Sequence, residues 1–495
     1  MRESGVLMHI TSLPGSYGVG TMGKQAFAFV DFLHAAGQRY WQILPLTPTG
    51  YGDSPYQSCS AYAGNHYLID LDTLVEDDLL TYDELNSVDW GWRADKVDFG
   101  IQYRNRLRVL RLAYARFEEN PEFEQFIAQN DHWLSDFSLY MALKDRFNGQ
   151  PWYEWEEGLK FRHPDAMKKA AAELYSERRF YCFVQYLFFK QWTKLRAYAH
   201  ENGVKIIGDV PIYVPYDSVE VWSAPHWFQL DSDMKPTAVA GCPPDAFSED
   251  GQLWGNPLYR WDDMKKDGYS WWLNRLAAAG KWYDVIRLDH FRGFEAYWSV
   301  PYGDTTAKNG KWIKGPDMDF IDTVKRTLPQ LKMIAEDLGF LTQEVLDLRD
   351  GSGFPGMKVL GFAFDSREPS EYLPHTYPVN SVCYTGTHDN MTTRQWFETA
   401  SADAVAYAKE YMALNEREGL IWGVIRTAMS SVSELCIIPM QDLLNLGAEA
   451  RMNFPGTMSD ANWTWRAYNG YTDQDLTKKL FHLTALYGRL GEQYP

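Results

Sequence analysis

Eight short apolar runs alternating with helix-like stretches constrain the fold of this chain more than any other feature. They lie at 5–10, 41–44, 204–210, 285–291, 333–336, 357–360, 382–385 and 436–439. A strand of a parallel sheet is covered on both faces and reads as a nearly continuous apolar run. Between the runs, apolar residues recur with helical spacing. In the stretch 180–200 the stripe is Tyr181, Val184, Phe188, Trp192 and Leu195, and Gly203 ends it. Strand–helix alternation carried through a whole chain gives a parallel sheet, and eight units close it into a barrel. The expected class is α/β: one (β/α)8 TIM barrel over residues 1–495, with insertions at its C-terminal rim and no separate C-terminal β-domain.

Two stretches are too long to be simple connections. Residues 74–179, after the second strand, are charged and carry helical patterns such as Phe123, Phe126 and Ile127, which predicts a helical insertion. Residues 211–261, after the third strand, read as a long irregular, lid-like insertion punctuated by Gly241, Pro243, Pro244, Gly251 and Pro257. A shorter loop, Gly50-Tyr51-Gly52-Asp53-Ser54-Pro55-Tyr56-Gln57, follows the second strand, where barrel enzymes place functional loops.

Composition removes several classes of function. The chain has 48 Lys+Arg against 66 Asp+Glu, a net charge of −18, and no basic stripe, which argues against a nucleic-acid partner. Five widely spaced cysteines with no C-x-x-C indicate neither a disulfide framework nor a zinc site. No apolar run is long enough to span a bilayer and no signal-peptide pattern opens the chain, so a soluble cytoplasmic protein is expected. Oligomeric state is not legible. Gly18-Val19-Gly20-Thr21-Met22-Gly23 matches G-x-G-x-x-G, but it does not follow its strand directly, and the second strand ends in Pro45-Leu46-Thr47-Pro48 with no acid for a ribose. A dinucleotide cofactor is therefore not expected. The 20 Trp and 31 Tyr suit sugar stacking and core filling alike.

The chemistry lies at the strand ends. Arg287 and Asp289 alternate with apolar residues and so share a face. Taken alone they are a salt bridge or a carboxylate held ionised for nucleophilic work. Glu336 and Asp389 end two further strands, with His388 adjacent. Carboxylates gathered on one rim repel one another, and packing alone does not explain them. Glycosidic bond cleavage needs such a pair, one carboxyl ionised and one protonated. A metal site is the competing reading, but Arg287 opposes a cation there, and no metal is expected.

These strand ends resemble the signature regions of the α-amylase clan: Arg287-Leu288-Asp289-His290, Ala335-Glu336-Asp337-Leu338-Gly339 and Thr387-His388-Asp389-Asn390, with Asp209 ending strand three. The wider pattern resembles the 4-α-glucanotransferases of glycoside hydrolase family 77. It rests on Gly52-Asp53-Ser54-Pro55-Tyr56-Gln57, Pro243-Pro244-Asp245, Trp254-Gly255-Asn256-Pro257, and the tail Asn453-Phe454-Pro455-Gly456-Thr457 with Asn462-Trp463-Thr464-Trp465-Arg466. The resemblance implies retaining transfer of α-1,4-glucan segments between maltooligosaccharides. It makes Asp289 the nucleophile, Glu336 the acid and base, and Asp389 a grip on sugar hydroxyls. Arg287 and His388 would orient and charge-balance the site, and Asp209 would belong to the substrate-binding set. Tyr56 and Trp254 are implied as stacking or lid residues, and Ser54, Asp245 and Gln252 as hydroxyl contacts. Alternatives are an α-glucan hydrolase of the same clan and, more remotely, a non-catalytic glucan-binding protein. A retaining mechanism requires the Asp289 and Glu336 carboxyls to lie about 5–6 Å apart.

Overall fold

The computed structural model describes residues 2–50, 52–244, 248–339, 341–364 and 370–491. Twelve strands are described. In chain order they are β1 (Glu3–Leu7), β2 (Tyr40–Gln42), β3 (Lys205–Val210), β4 (Ala238–Cys242), β5 (Gln252–Pro257), β6 (Val285–Leu288), β7 (Ala296–Pro301), β8 (Lys311–Lys314), β9 (Met333–Ala335), β10 (Gly356–Val359), β11 (Ser381–Tyr384) and β12 (Leu435–Pro439). Eight of them close a parallel barrel in the order β1-β12-β11-β10-β9-β6-β3-β2. These are the eight apolar runs. The first is displaced toward the N-terminus, because Ile10–Ser12 turns as a 3-10 segment and the strand has ended at Leu7.

Register decides which polar side chains meet. β3 and β6 pair so that Asp209 faces Arg287 and Val210 faces Leu288. Partners in a parallel pair project to the same side, so acid and base sit next to each other at the top of the barrel. On the other face of β3, Gly208 leaves room for the ring of Tyr283, which a Cβ would meet at about 2.2 Å.

Helices cover the barrel. Between β2 and β3 the chain forms the helices Phe99–Arg116, Pro121–Arg146 and Pro164–Glu173 before the long helix Tyr175–Glu201. Pro121–Arg146 starts on Asn120, whose side chain accepts from the Phe123 amide, with Pro at the first position. Its apolar face packs on Tyr175–Glu201, whose stripe of Tyr181, Val184, Phe188, Trp192 and Leu195 is buried.

The stretch 211–261 is not the irregular segment that its turn residues suggest. It contains the short helix Val219–Ser223 and the strands β4 and β5. With β7 and β8, which follow β6, they make an antiparallel sheet in the order β5-β4-β7-β8 around a small core of Val239, Val300 and Ala307. Local pattern conceals this sheet. β4 is made of small residues, β5 contains Gly255, Asn256 and Pro257, and β4 pairs with a strand from a different loop.

Candidate active site

The three carboxylates sit just beyond strand ends. Asp289 follows β6, and its amide donates to Val210 O at 3.1 Å. Glu336 follows β9, and its amide donates to Leu288 O at 3.0 Å. Asp389 lies in the loop after β11, shaped by Asn390, whose side-chain oxygen accepts from the Thr387 amide at 2.8 Å.

Beneath them is a charged layer. Arg287 Nη1 contacts Asp209 Oδ2 at 2.6 Å and Asp289 Oδ1 at 3.1 Å. Tyr56 donates its hydroxyl to Asp209 Oδ2 at 2.7 Å. Exposure separates the roles: the side chains of Asp209 and Arg287 are 1% and 4% exposed, against 26% for Asp289 and 42% for Asp389. Asp209 is buried beneath the cleft, where Arg287 and Tyr56 both bond to Oδ2 and Oδ1 is left without a hydrogen-bond partner.

Glu336 is held by backbone. His290 N–H donates to Oε2 at 2.7 Å and Leu338 N–H to Oε1 at 3.0 Å. The first of these bonds ties Glu336 to the residue next to Asp289. His290 has φ of 50°, an uncommon backbone for a non-glycine residue, and the turn it makes aims its N–H at the carboxylate. Asp337 turns away into a buried pair with Arg349 at 2.8 Å.

The electrostatics correct one expectation. Arg287 was expected to hold Asp289 low. Instead burial pushes the Asp289 carboxyl well above the carboxylate range, against the pull of Arg287, and Asp209, Glu336 and Asp389 push it further. The guanidinium is shared, with its shorter contact to Asp209. Glu336 is also raised, first by burial, against Arg287 and its two amide donors. Both carboxyls are raised, and Glu336 is among the charges that raise Asp289; a proton held on one of the two is the state that acid-assisted nucleophilic chemistry requires.

His388 is not a charge-balancing cation either. Burial is the main cause that lowers its pKa, outweighing Asp389, so it is a neutral imidazole at pH 7. It stacks on Tyr56 with ring centres 5.3 Å apart, and its Nε2 lies 3.4 Å from Asp389 Oδ2. Ser54 Oγ accepts from the Tyr56 amide at 3.2 Å, which shapes the loop around that ring. Gln252 Oε1 accepts from the Trp254 indole N–H at 3.2 Å, and Trp254 stands edge-on to His290 with ring centres 4.8 Å apart. Gln57 Nε2 reaches Asn256 Oδ1 at 3.3 Å, linking the loop after β2 to β5. Asp245 and Phe247 lie outside the described residues.

Three neighbours carry no sequence signal of their own: Asn453, Arg451 and His290. Asn453 Nδ2 donates to Asp389 Oδ1 at 2.6 Å, and Arg451 donates to the Asp389 carbonyl at 3.0 Å. Asn453 and His290 stand inside the motifs above, but nothing local says that residue 453 returns across 64 positions to Asp389. Among the described residues no group of three or more His, Cys, Asp or Glu is placed to hold a metal ion.

A closed parallel barrel with paired carboxylates over an arginine at its C-terminal rim defines an enzyme of the carboxylate-dependent glycosidic class. The comparisons narrow this. The family model for 4-alpha-glucanotransferase, glycoside hydrolase family 77, matches residues 8–471. The chain belongs to that family. It is 50% identical to a 4-alpha-glucanotransferase of Clostridium butyricum over 486 residues, 97% of this chain and 100% of the other. It is 47% identical to one from Thermus thermophilus, covering 95% of each chain. The structure matches an amylomaltase from Streptococcus agalactiae in complex with acarbose at a TM-score of 0.96 and 41% identity, covering 99% of this chain and 100% of that one.

Proposed function

We propose that the cleft transfers α-1,4-glucan segments from a maltooligosaccharide donor to the 4-hydroxyl of a glucose or maltodextrin acceptor, with retention. The observation that carries this reading is the pair Asp289 and Glu336, one in contact with Arg287, the other bonded to the amide of the next residue, His290. Asp289 attacks the anomeric carbon as its bond to the departing O4 breaks, and Glu336 gives that oxygen its proton. The acceptor 4-hydroxyl then attacks the same carbon, Glu336 recovers a proton from it, and the Asp289 ester bond breaks. Asp389, exposed and oriented by Asn453, grips sugar hydroxyls. Tyr56 keeps its proton, since burial and Asp209 raise its pKa. Its ring, backed by His388, supplies one wall. No cofactor takes part in these steps. Cys383 and Cys436, reduced and opposite each other on β11 and β12, suit a cytoplasmic setting. Among the described residues no helix is long and apolar enough to cross a membrane.

Incubation with maltotriose alone tests the reading. A ladder of longer maltodextrins with glucose is expected. Maltose and glucose alone would assign hydrolysis instead.

The segment around β5 accounts for transfer in the face of water. Water is at about 55 M and acceptor sugar is millimolar, so the site must favour sugar by position and by excluding water. Trp254, edge-on to His290, forms the acceptor platform in this reading. In Trp254→Ala the ratio of hydrolysis to transfer should rise about five-fold, the equivalent of about 1 kcal/mol of lost ring contact. Equal loss of both activities would make Trp254 merely structural.

A further inference from the structure

One buried acid takes no part in the chemistry above. Glu220 lies in the helix Val219–Ser223 and is 4% exposed. Its Oε1 accepts from Ser60 Oγ at 3.0 Å and from the Ala61 amide at 2.7 Å. Ser60 Oγ accepts in turn from the amides of Tyr62 and Ala63, at 3.1 and 3.2 Å. Beside them the Val219 amide donates to the Cys59 carbonyl at 2.9 Å. Glu220 therefore fastens the turn 59–63 to a helix that begins ten residues beyond Asp209.

The same two chain segments carry Tyr56 and Asp209, which meet at 2.7 Å. They are joined twice, once at the cleft floor through that bond and again at Glu220. A cavity of about 40 Å³ is lined by Tyr56 and Asp209 together with Ser60, Pro215 and Arg275. A space of that size takes a few water molecules and gives the turn room to shift if it is released.

We propose that Glu220 is a positioning residue of this enzyme. It sets the place of Tyr56 against Asp209, and through Asp209 and Arg287 the place of the Asp289 carboxylate. This rests on the glucanotransferase reading above. Glu220 Oε2 is buried with no hydrogen-bond partner in the structure, so its charge state matters to the turn. Burial raises the carboxyl to about 7, against the pull of its amide and hydroxyl donors and of Arg275. The other titratable groups that face it are Cys59, Tyr62, Tyr140 and Tyr259, neutral at that pH; Asp217 beyond them is paired with Lys144 at 2.7 Å. Ionisation of Glu220 strengthens the bonds at Oε1 but places charge on a buried Oε2 that has no donor, and rearrangement of the junction to solvate that oxygen follows.

Two variants test this against the active wild-type enzyme in maltotriose disproportionation. Glu220→Ala should lower kcat about ten-fold with KM little changed, since the relay ends at the reacting carboxylate. Glu220→Gln keeps an acceptor for Ser60 and Ala61 and cannot ionise. It should retain wild-type kcat below pH 7 and lose the part of the alkaline decline centred near 7. Stability gives a readout apart from activity. Between the unfolded pKa of about 4.5 and the folded value of about 7, the folded chain holds a proton that the unfolded chain has released, so wild-type stability falls as pH rises through that window. Glu220→Gln should flatten that part of the Tm profile. If Glu220→Ala does not fold, the Gln pH profiles decide. Wild-type kcat in Glu220→Ala, or a Gln variant whose pH–rate profile matches the wild type, would overturn the proposal. A wild-type enzyme that forms no ladder from maltotriose would overturn the glucanotransferase reading instead.

Discussion

Asp289→Asn should lower transfer from maltotriose by at least about 10⁴-fold, roughly 5.5 kcal/mol of barrier, while the protein melts at the wild-type temperature or above it. The two outcomes share a cause. Asparagine keeps the size of the side chain and its contact with Arg287, but it cannot form the covalent ester. In the folded protein ionisation of Asp289 is costly: burial and three neighbouring carboxylates raise its pKa. A group whose folded pKa is raised withdraws stability as pH climbs from the unfolded value, so at pH 7 the neutral amide removes a penalty. Initial rates and calorimetry at pH 7 check both arms. A variant that keeps a tenth of wild-type turnover would remove Asp289 from the nucleophile's role. Such a trade of stability for activity is what a functional carboxylate cluster predicts.

Arg287→Ala should be damaging in a different way, losing both turnover and stability. The arginine sits between a buried Asp209 and the reacting Asp289. Its removal leaves Asp209, 1% exposed, with the Tyr56 hydroxyl as its remaining side-chain partner among the described residues, and an uncompensated buried charge costs about 3–5 kcal/mol. A fall in Tm of several degrees and in kcat of at least about 10²-fold is expected. A double variant separates the two losses. Arg287→Met with Asp209→Asn removes both charges, keeps an acceptor for Tyr56, and should restore most of the Tm without restoring kcat. Recovery of kcat in the double variant would reduce Arg287 to a scaffold element.

Carboxylate identity was legible along the chain because a barrel strand that ends in an acid after an apolar run leaves few places for that acid to point. Asp289 and Glu336 fall at such ends and Asp389 in the loop beyond one, on the rim where this architecture gathers its reactive groups. The charges on those residues were not legible. Neighbours along the chain suggest that Arg287 holds Asp289 ionised, but register places Asp209 opposite Arg287 and gives it the shorter bond. Burial, which no spacing reports, then outweighs the guanidinium at Asp289 and leaves His388 neutral.

The sheet β5-β4-β7-β8 shows the same limit for backbone. Its strands have weak individual preferences and are assembled from two loops, so their pairing energy exists only once the barrel has brought those loops together. Asn453, which orients Asp389, and Glu220, which holds the turn beyond Tyr56, likewise act across distances that local pattern does not span. Periodicity and strand-end chemistry, which are properties of neighbouring residues, determined the barrel and its three carboxylates from the sequence alone. Protonation, the buried clamp beneath the cleft and the sheet beside it were decided by tertiary structure, because each depends on desolvation and on contacts between residues far apart in the chain.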